Sequence, residues 1–249
     1  MMKKEPVTGC FGRYASWSET GADAIDDLTA EDLQESAKRA AEKIVAPGNW
    51  ITPPESFLAM ALLTAARSST RSPFNVVDFG GSLGTHVPLF LTIARDVPFE
   101  WTIIEQDLVA NVGRAITPKG IALTFLTTLA EAPRNPDIVI ASGSIHCVSE
   151  PYQALSDIRG LTPNFIFIDR IPIIEDDEDF ASVQKVEASL YADGRGRKFA
   201  AWFLSRRRFY EEVTKGFRVI WSAKPFVDSM TLDGVPFIDS YEAVLLERV

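Results

Sequence analysis

VVDFGGSLGTH, Val76 to His86, is an apolar run that ends in an acid and then breaks into glycines. Unbroken Val and Phe read as a strand buried on both faces, and the glycines read as a tight turn into a helix. A buried strand that turns directly into a helix is the opening unit of an α/β sheet. Downstream, short β-rich runs alternate with helical ones: NVVDF, EWTIIE, ALTFL, DIVIAS, NFIFID, then FRVIWSA and EAVLLER. Seven such runs imply a seven-stranded, mostly parallel sheet covered on both faces, with the last two strands forming a C-terminal β-hairpin. Upstream, LTAEDLQESAKRAAEKI sets Leu33, Ala37, Ala40, Ala41 and Ile44 on one helical face, with Thr29 and Asp32 as a capping pair. TPPESFLAMALLTAAR opens a second helix, with Thr52 as N-cap, Pro53 and Pro54 in the first turn and Glu55 closing a capping box. The expected division is a helical N-terminal segment or lid over residues 1–70 and an α/β domain over 71–249.

The composition suits that architecture. With 249 residues, 46% hydrophobic and 24% charged, the chain can bury a substantial core. A net charge of −9 excludes a broad surface for nucleic acid or anionic membrane, because phosphate binding needs a basic face. Cys10 and Cys147 are too few and too far apart for a disulfide framework or a metal cage, which points to a reducing compartment. The longest apolar segment, FLAMALLTAA, is far short of a membrane span, and a cytoplasmic protein is expected.

In a parallel sheet the ligand sits beyond the carboxyl ends of the strands, where strand order reverses. The turn Gly80, Gly81, Ser82, Leu83, Gly84 lies at that edge. Two cofactor classes use such turns. A nicotinamide dinucleotide, NAD(P), wants G-x-G-x-x-G, but Ser82 replaces the second glycine and the last one comes a position early. Asp78 would also repel a pyrophosphate, whereas S-adenosylmethionine carries an ammonium and a sulfonium that an acid stabilises. Glu105, at the end of the second strand, can accept hydrogen bonds from the ribose hydroxyls of either cofactor.

Further blocks carry a resemblance. FGRYASW, DFGGSLG, WTIIEQ, PDIVIASGSIHCVSEPYQAL, FIFIDRIPI and ASVQKVEASLY resemble successive blocks of a family of bacterial S-adenosylmethionine-dependent methyltransferases, from Phe11 to about Phe217. The resemblance implies the Rossmann-like class I methyltransferase fold and an association with polysaccharide biosynthesis. It places Asp78, Gly80, Gly81, Ser82 and Gly84 around the methionine part of the cofactor and Glu105 with Gln106 at the ribose. Phe125 and Leu126 fall near the adenine, and Ser142 and Gly143 near the transferable methyl. Two departures stand out: His86 replaces a tyrosine-like residue, and ADGRGRKFAAW replaces a more proline-rich approach to Trp202.

Methyl transfer needs alignment and, for a hydroxyl acceptor, a base. His86 and His146 are the only histidines; His146, just after a strand end, is the first candidate, and Asp169 the second. Either histidine also fits as ordinary packing, and Asp169 can simply pair with Arg170. If it serves the site, Arg170 orients a carboxylate or phosphate on the acceptor. Tyr14 and Trp17 can close over the site or anchor the N-terminal segment; Gln184, Tyr191 and His86 complete the expected acceptor contacts. EDDED, Glu175 to Asp179, resembles a metal cluster in composition, but five consecutive acids cannot face one ion, so a solvated loop and no metal are expected. SRRRF, with Arg206 to Arg208, reads as a phosphate contact or one exposed side of a helix. The expected activity is O-methylation of a small-molecule or glycan-type acceptor. An NAD(P)-dependent oxidoreductase and a non-catalytic partner protein in a biosynthetic complex are the alternatives.

Overall fold

A computed structural model describes residues 9–22, 35, 38, 39, 41, 42, 53–186, 196–224, 230–238 and 241–249. The strands are β1 (Gly9–Tyr14), β2 (Phe74–Phe79), β3 (Phe99–Ile104), β4 (Leu123–Leu126), β5 (Ile138–Ser142), β6 (Phe165–Ile171), β7 (Ile173–Ile174), β8 (Phe180–Val186), β9 (Arg197–Ser205), β10 (Phe217–Ala223), β11 (Met230–Leu232), β12 (Val235–Ile238) and β13 (Glu242–Arg248). The helices are α1 (Pro53–Ser68), α2 (Val87–Ile93), α3 (Asp107–Ile116), α4 (Pro151–Gly160) and α5 (Arg206–Val213).

The seven apolar runs form one sheet in the order β10-β13-β6-β5-β2-β3-β4. Strands β2 to β6 pair in parallel, and β13 runs antiparallel between β6 and β10. Strand order reverses between β2 and β5, which makes the carboxyl ends of those two strands the natural ligand crevice. Side-chain alternation divides each strand between two cores. Val76, Ile138, Ile140, Phe165, Phe167 and Leu245 pack under α1, α2 and α3. Val77, Val139, Ala141, Ile166, Ile168 and Leu246 pack under α4 and α5. Burial on both faces is the reason these strands read as continuous apolar runs rather than as alternating ones.

The two helices read upstream of the sheet fare differently. The second is α1, with Leu58, Leu62 and Ala65 buried on the sheet. Its expected cap, Thr52, lies outside the described residues, as does nearly all of the segment 28–44; Glu35, Lys38, Arg39, Ala41 and Glu42 are described there and are helical.

A second, six-stranded sheet, in the order β12-β11-β1-β8-β9-β7, has no counterpart in the sequence reading. The chain from Gly9 to Tyr14 is its strand β1, antiparallel to β8 and parallel to β11. The C-terminal hairpin of β10 and β13 is thus interrupted: between its strands the chain leaves to add β11 and β12 to the second sheet. This sheet has its own small core, in which Phe180 stacks on Phe203 at 4.7 Å and Cys10 packs beside Met230.

Candidate active site

The glycine turn is shaped by what lies behind it. Gly80 (φ 72°) continues the ladder by donating its N–H to Ile104 O at 2.9 Å, and a Cβ there would fall 2.4 Å from the Ser144 Cβ. Only glycine fits so close an approach at positive φ. Gly81 lies against Asp78: a Cβ on it would be 2.5 Å from the carboxyl carbon. Ser82 adopts φ 52°, a conformation that costs a non-glycine residue about 1 kcal/mol or more. Glu105 holds it there, since Glu105 Oε1 accepts the Ser82 N–H at 3.0 Å while Oε2 accepts that of Gln106 at 3.0 Å. Burial raises the Glu105 pKa, against the two backbone hydrogen bonds that lower it, and the nearby Asp78 charge adds to the rise.

A cleft of about 290 Å³ opens at the crevice, with Gly80, Glu105 and Gln106 from the β2 and β3 ends and Gly143, Ser144 and Cys147 from the β5 end. It continues past Phe79, Ile104, Thr127 and Val148 into a groove of about 720 Å³ along α4. Of the residues expected at the adenine, Phe125 is core: it lies where a Cβ on Gly113 would need to be, at 2.3 Å, and its carbonyl accepts two N–H bonds from Arg114. Leu126 packs against the second core cluster. The cleft wall there is instead Thr127, one residue past the strand end, together with Ile104. Neither Thr127 nor Cys147 carries a signal by residue type; Thr127 is marked only by its place one residue past β4, and Cys147 lies five residues beyond β5.

Asp78 does not line the cleft. It is wholly buried, and its Oδ2 lies 2.9 Å from His86 Nδ1 and accepts the Trp101 indole N–H at 3.2 Å. Across the crevice, Ser142 Oγ donates to Asp169 Oδ1, and Arg170 Nη2 donates to Ser142 Oγ at 2.7 Å and to Ser142 O at 3.2 Å. Arg170 holds φ 53°, keeps 46% of its side chain exposed and lies 3.3 Å from the position of a Cβ on Gly143. Burial raises the Asp169 pKa, with Arg170 and the Ser142 hydroxyl opposing.

The two histidines differ sharply. His146 is buried, its Nδ1 finds no hydrogen-bond partner among the described residues, and burial with the Arg170 charge pulls its pKa to about 4. That ring is neutral and a poor base. At His86 burial works to lower the pKa, but the charge of Asp78 and the hydrogen bond to it outweigh burial and raise the value above 6.5.

The remaining expected contacts lie apart from this cluster. Trp17 sits 6.3 Å from Trp202, beside Tyr152 and Arg208, in a cleft of about 510 Å³ that meets the α4 groove at Ser149 and Glu150. Tyr14 ends β1 opposite Ala181, and Gln184 sits mid-β8 opposite Cys10, both in the second sheet. Tyr191 lies outside the described residues. The acidic and basic runs pair with each other: Arg206 with Glu175 and Glu242, Arg207 with Asp177, and Arg208 with Asp179. Asp179 is not a solvated acid, being 6% exposed and also accepting bonds from Tyr152 Oη and the Ser205 N–H.

No known protein family and no curated protein matches this sequence. Among solved structures, the CcbJ methyltransferase from Streptomyces caelestis aligns with a TM-score of 0.51 at 14% identity, over 91% of this chain and 98% of that one. A SAM-dependent methyltransferase from Aquifex aeolicus aligns at 0.50 and 12% identity, over 90% and 100%. The [4+2]-cyclase SpnF aligns at 0.53 and 12% identity, over 91% and 96%. At such identities the likeness establishes the fold, which is the Rossmann-like class I methyltransferase fold.

Proposed function

We propose that this protein is an S-adenosylmethionine-dependent methyltransferase. The observation that carries the reading is the closure of the glycine turn on Glu105 at the point where strand order reverses. That arrangement sets a carboxylate able to accept from ribose hydroxyls on the wall of the cleft, beside a turn whose glycines pack directly on Ser144 and Asp78. The nicotinamide alternative is weakened by the sheet itself: a dinucleotide fold continues with a sixth parallel strand, where this sheet inserts the antiparallel β13. Its turn also keeps an acid, Asp78, directly behind the backbone that a pyrophosphate would need.

The bound cofactor would supply an electrophilic methyl group on a sulfonium centre. Gly80 would admit its methionine part, Glu105 and Gln106 would hold the ribose, and Thr127 with Ile104 would flank the adenine. Gly143 and Ser144 would border the acceptor, and Arg170 would orient an acidic group on it. A small-molecule or glycan acceptor with a hydroxyl as the methylated group is the reading carried from the sequence, together with a place in polysaccharide biosynthesis and in the cytoplasm. Neither thiol is in a disulfide, and among the described residues no helix is long and apolar enough to cross a membrane.

Calorimetric titration with S-adenosylhomocysteine and, separately, NADH tests the reading. Saturable binding of the first and none of the second is expected, and the reverse would overturn it. The same fold carries a [4+2]-cyclase, SpnF, so turnover has to be scored apart from binding.

A further inference from the structure

The cleft beside Trp17 and Trp202 belongs to the same trough as the crevice. One strip of chain borders all of it: Cys147 lines the crevice cleft, Val148 lines both that cleft and the α4 groove, and Ser149 and Glu150 line both the groove and the tryptophan cleft. Pro151, on the tryptophan cleft, is four residues from Cys147, which is at most roughly 14 Å of chain. The second sheet holds this end in place. Its strand β9 packs against the turn Ile145–Cys147, and the Trp202 indole N–H donates to Ser149 O at 3.2 Å. Trp17 is pinned through its own backbone, since its carbonyl accepts from the Thr20 N–H at 3.1 Å and from the Thr20 hydroxyl at 2.7 Å. Tyr152 and Arg208 are fixed by the enclosed Asp179, which accepts from the Tyr152 hydroxyl at 3.0 Å and pairs with Arg208. The Arg208 guanidinium lies over the Tyr152 ring at 5.0 Å. Both tryptophans nevertheless stay partly exposed. Rings fixed in this way lose little entropy when a ligand covers them, and binding removes their apolar area from water.

We propose that this cleft binds one sugar ring of an oligosaccharide acceptor, at a distance from the ring that is methylated. The sugar site follows from the cleft alone; its role as part of the methyl acceptor rests on the methyltransferase reading above. Ring geometry sets the ligand class. The two indole centroids are 6.3 Å apart at 31°, whereas a flat ring inserted between them would need about 7–8 Å, twice the carbon contact distance. A nucleobase therefore cannot enter as the filling of a sandwich, and the ligand lies along the exposed ring faces. An organic cation would seek the electron-rich faces, but Arg208 already covers that of Tyr152 and its charge repels a second cation. A pyranose suits both features. Its C–H bonds, weakly positive, rest on an indole face, while its hydroxyls both donate and accept at the edge. Partners of both kinds stand around the rings: the hydroxyls of Ser16 and Ser18, the Glu150 carboxylate, and the Arg208 guanidinium, whose side chain is 46% exposed. The length of the strip then calls for an acceptor longer than one ring, with one end on the tryptophans and the other at Gly143 and Ser144.

The probes are an array of unbranched oligosaccharides, neutral and acidic, graded in length from the monosaccharide upward, read with the full chain in the presence of S-adenosylhomocysteine. Binding should strengthen with length and fall about tenfold or more in Trp17→Ala, while calorimetric binding of S-adenosylhomocysteine stays unchanged. In the natural chain the indole N–H resonances of Trp17 and Trp202, assigned with Trp17→Phe and Trp202→Phe, should move when a bound oligosaccharide is added. They should not move with tetramethylammonium or adenosine monophosphate. The proposal is overturned if no oligosaccharide binds, if binding survives Trp17→Ala at full strength, or if the cation or the nucleotide moves the two indoles instead. Wherever S-adenosylhomocysteine still binds in those cases, the methyltransferase reading stands. An oligosaccharide that moves both indoles in a chain unable to bind S-adenosylhomocysteine overturns the acceptor role. Should Trp17→Ala not fold, the indole resonances of the natural chain decide alone.

Discussion

Gly81→Ala tests the tightest contact of the site. The added Cβ would stand 2.5 Å from Asp78 Cγ, 2.6 Å from Oδ2 and 2.9 Å from Oδ1. Ordinary contact requires about 3.5 Å, so the carboxyl group would have to retreat by roughly 1 Å. It has little room to do so, because Oδ2 is held by His86 and Trp101 and the residue is fully buried. Either a hydrogen bond to the carboxylate is lost, at about 1.5–3 kcal/mol, or the turn shifts with an overpacking cost of about 1–3 kcal/mol. A net loss of about 2–3 kcal/mol corresponds, for a chain of this size, to a Tm lowered by roughly 4–12 °C. Thermal unfolding followed by circular dichroism measures it. Gly160→Ala, where the Cβ meets nothing within 4 Å, should leave Tm within about 2 °C. In an Asp78→Ala background Gly81→Ala should lose most of its cost, because the obstacle is gone. A Gly81→Ala Tm equal to that of the natural chain would refute the enclosure of Asp78.

Glu105→Gln removes a charged acceptor for the ribose and should weaken S-adenosylhomocysteine binding about tenfold by calorimetry, with Tm little changed. His146 has a folded pKa of about 4 against an ordinary 6.5, so the unfolded chain binds its proton first. Its contribution to stability is complete above pH 6.5 and is lost as pH falls toward 4, amounting to about 3 kcal/mol; urea unfolding across that range should show the slope, and His146→Gln should remove it. Arg208→Ala leaves the enclosed Asp179 carboxylate short of its cation and should cost about 3 kcal/mol in the same assay, whereas Arg207→Ala, which breaks only exposed pairs, should cost under about 1 kcal/mol.

The first sheet was legible because each of its strands is self-describing. NVVDF, DIVIAS and NFIFID have apolar centres with no period-two alternation, and each observed strand begins or ends within two residues of its run. The glycine turn and Glu105 could be placed from strand ends alone, and the structure brings them together. The second sheet was not legible, because its pairing is remote: Cys10 lies opposite Gln184 and Leu232, and β11 has three residues. Gly9 and Gly12, both at positive φ, make GCFGRY look like a turn rather than a strand. The acidic run reads as a solvated loop and the basic run as a phosphate contact or an exposed helix side, since local sequence cannot show that one run neutralises the other. Asp78 and His86 were assigned separate tasks for a similar reason. Only the return of the chain through the turn into α2 puts the imidazole on the carboxylate.

The pairing of β1 with β11 also orders the birth of the molecule. Cys10 accepts the Asp233 N–H at 2.9 Å, and the Gly12 N–H reaches Asp233 Oδ1 at 2.9 Å, contacts that span more than two hundred residues. During synthesis β1 can pair with β8 once that strand emerges, but its other edge must wait until β11 has left the ribosome. The parallel run β2 to β6 is made long before that and needs nothing from β1 to pair. The crevice can therefore take shape on a nascent chain whose second sheet is still open, and the arrival of β11 and β13, a few residues apart, completes both sheets almost at once.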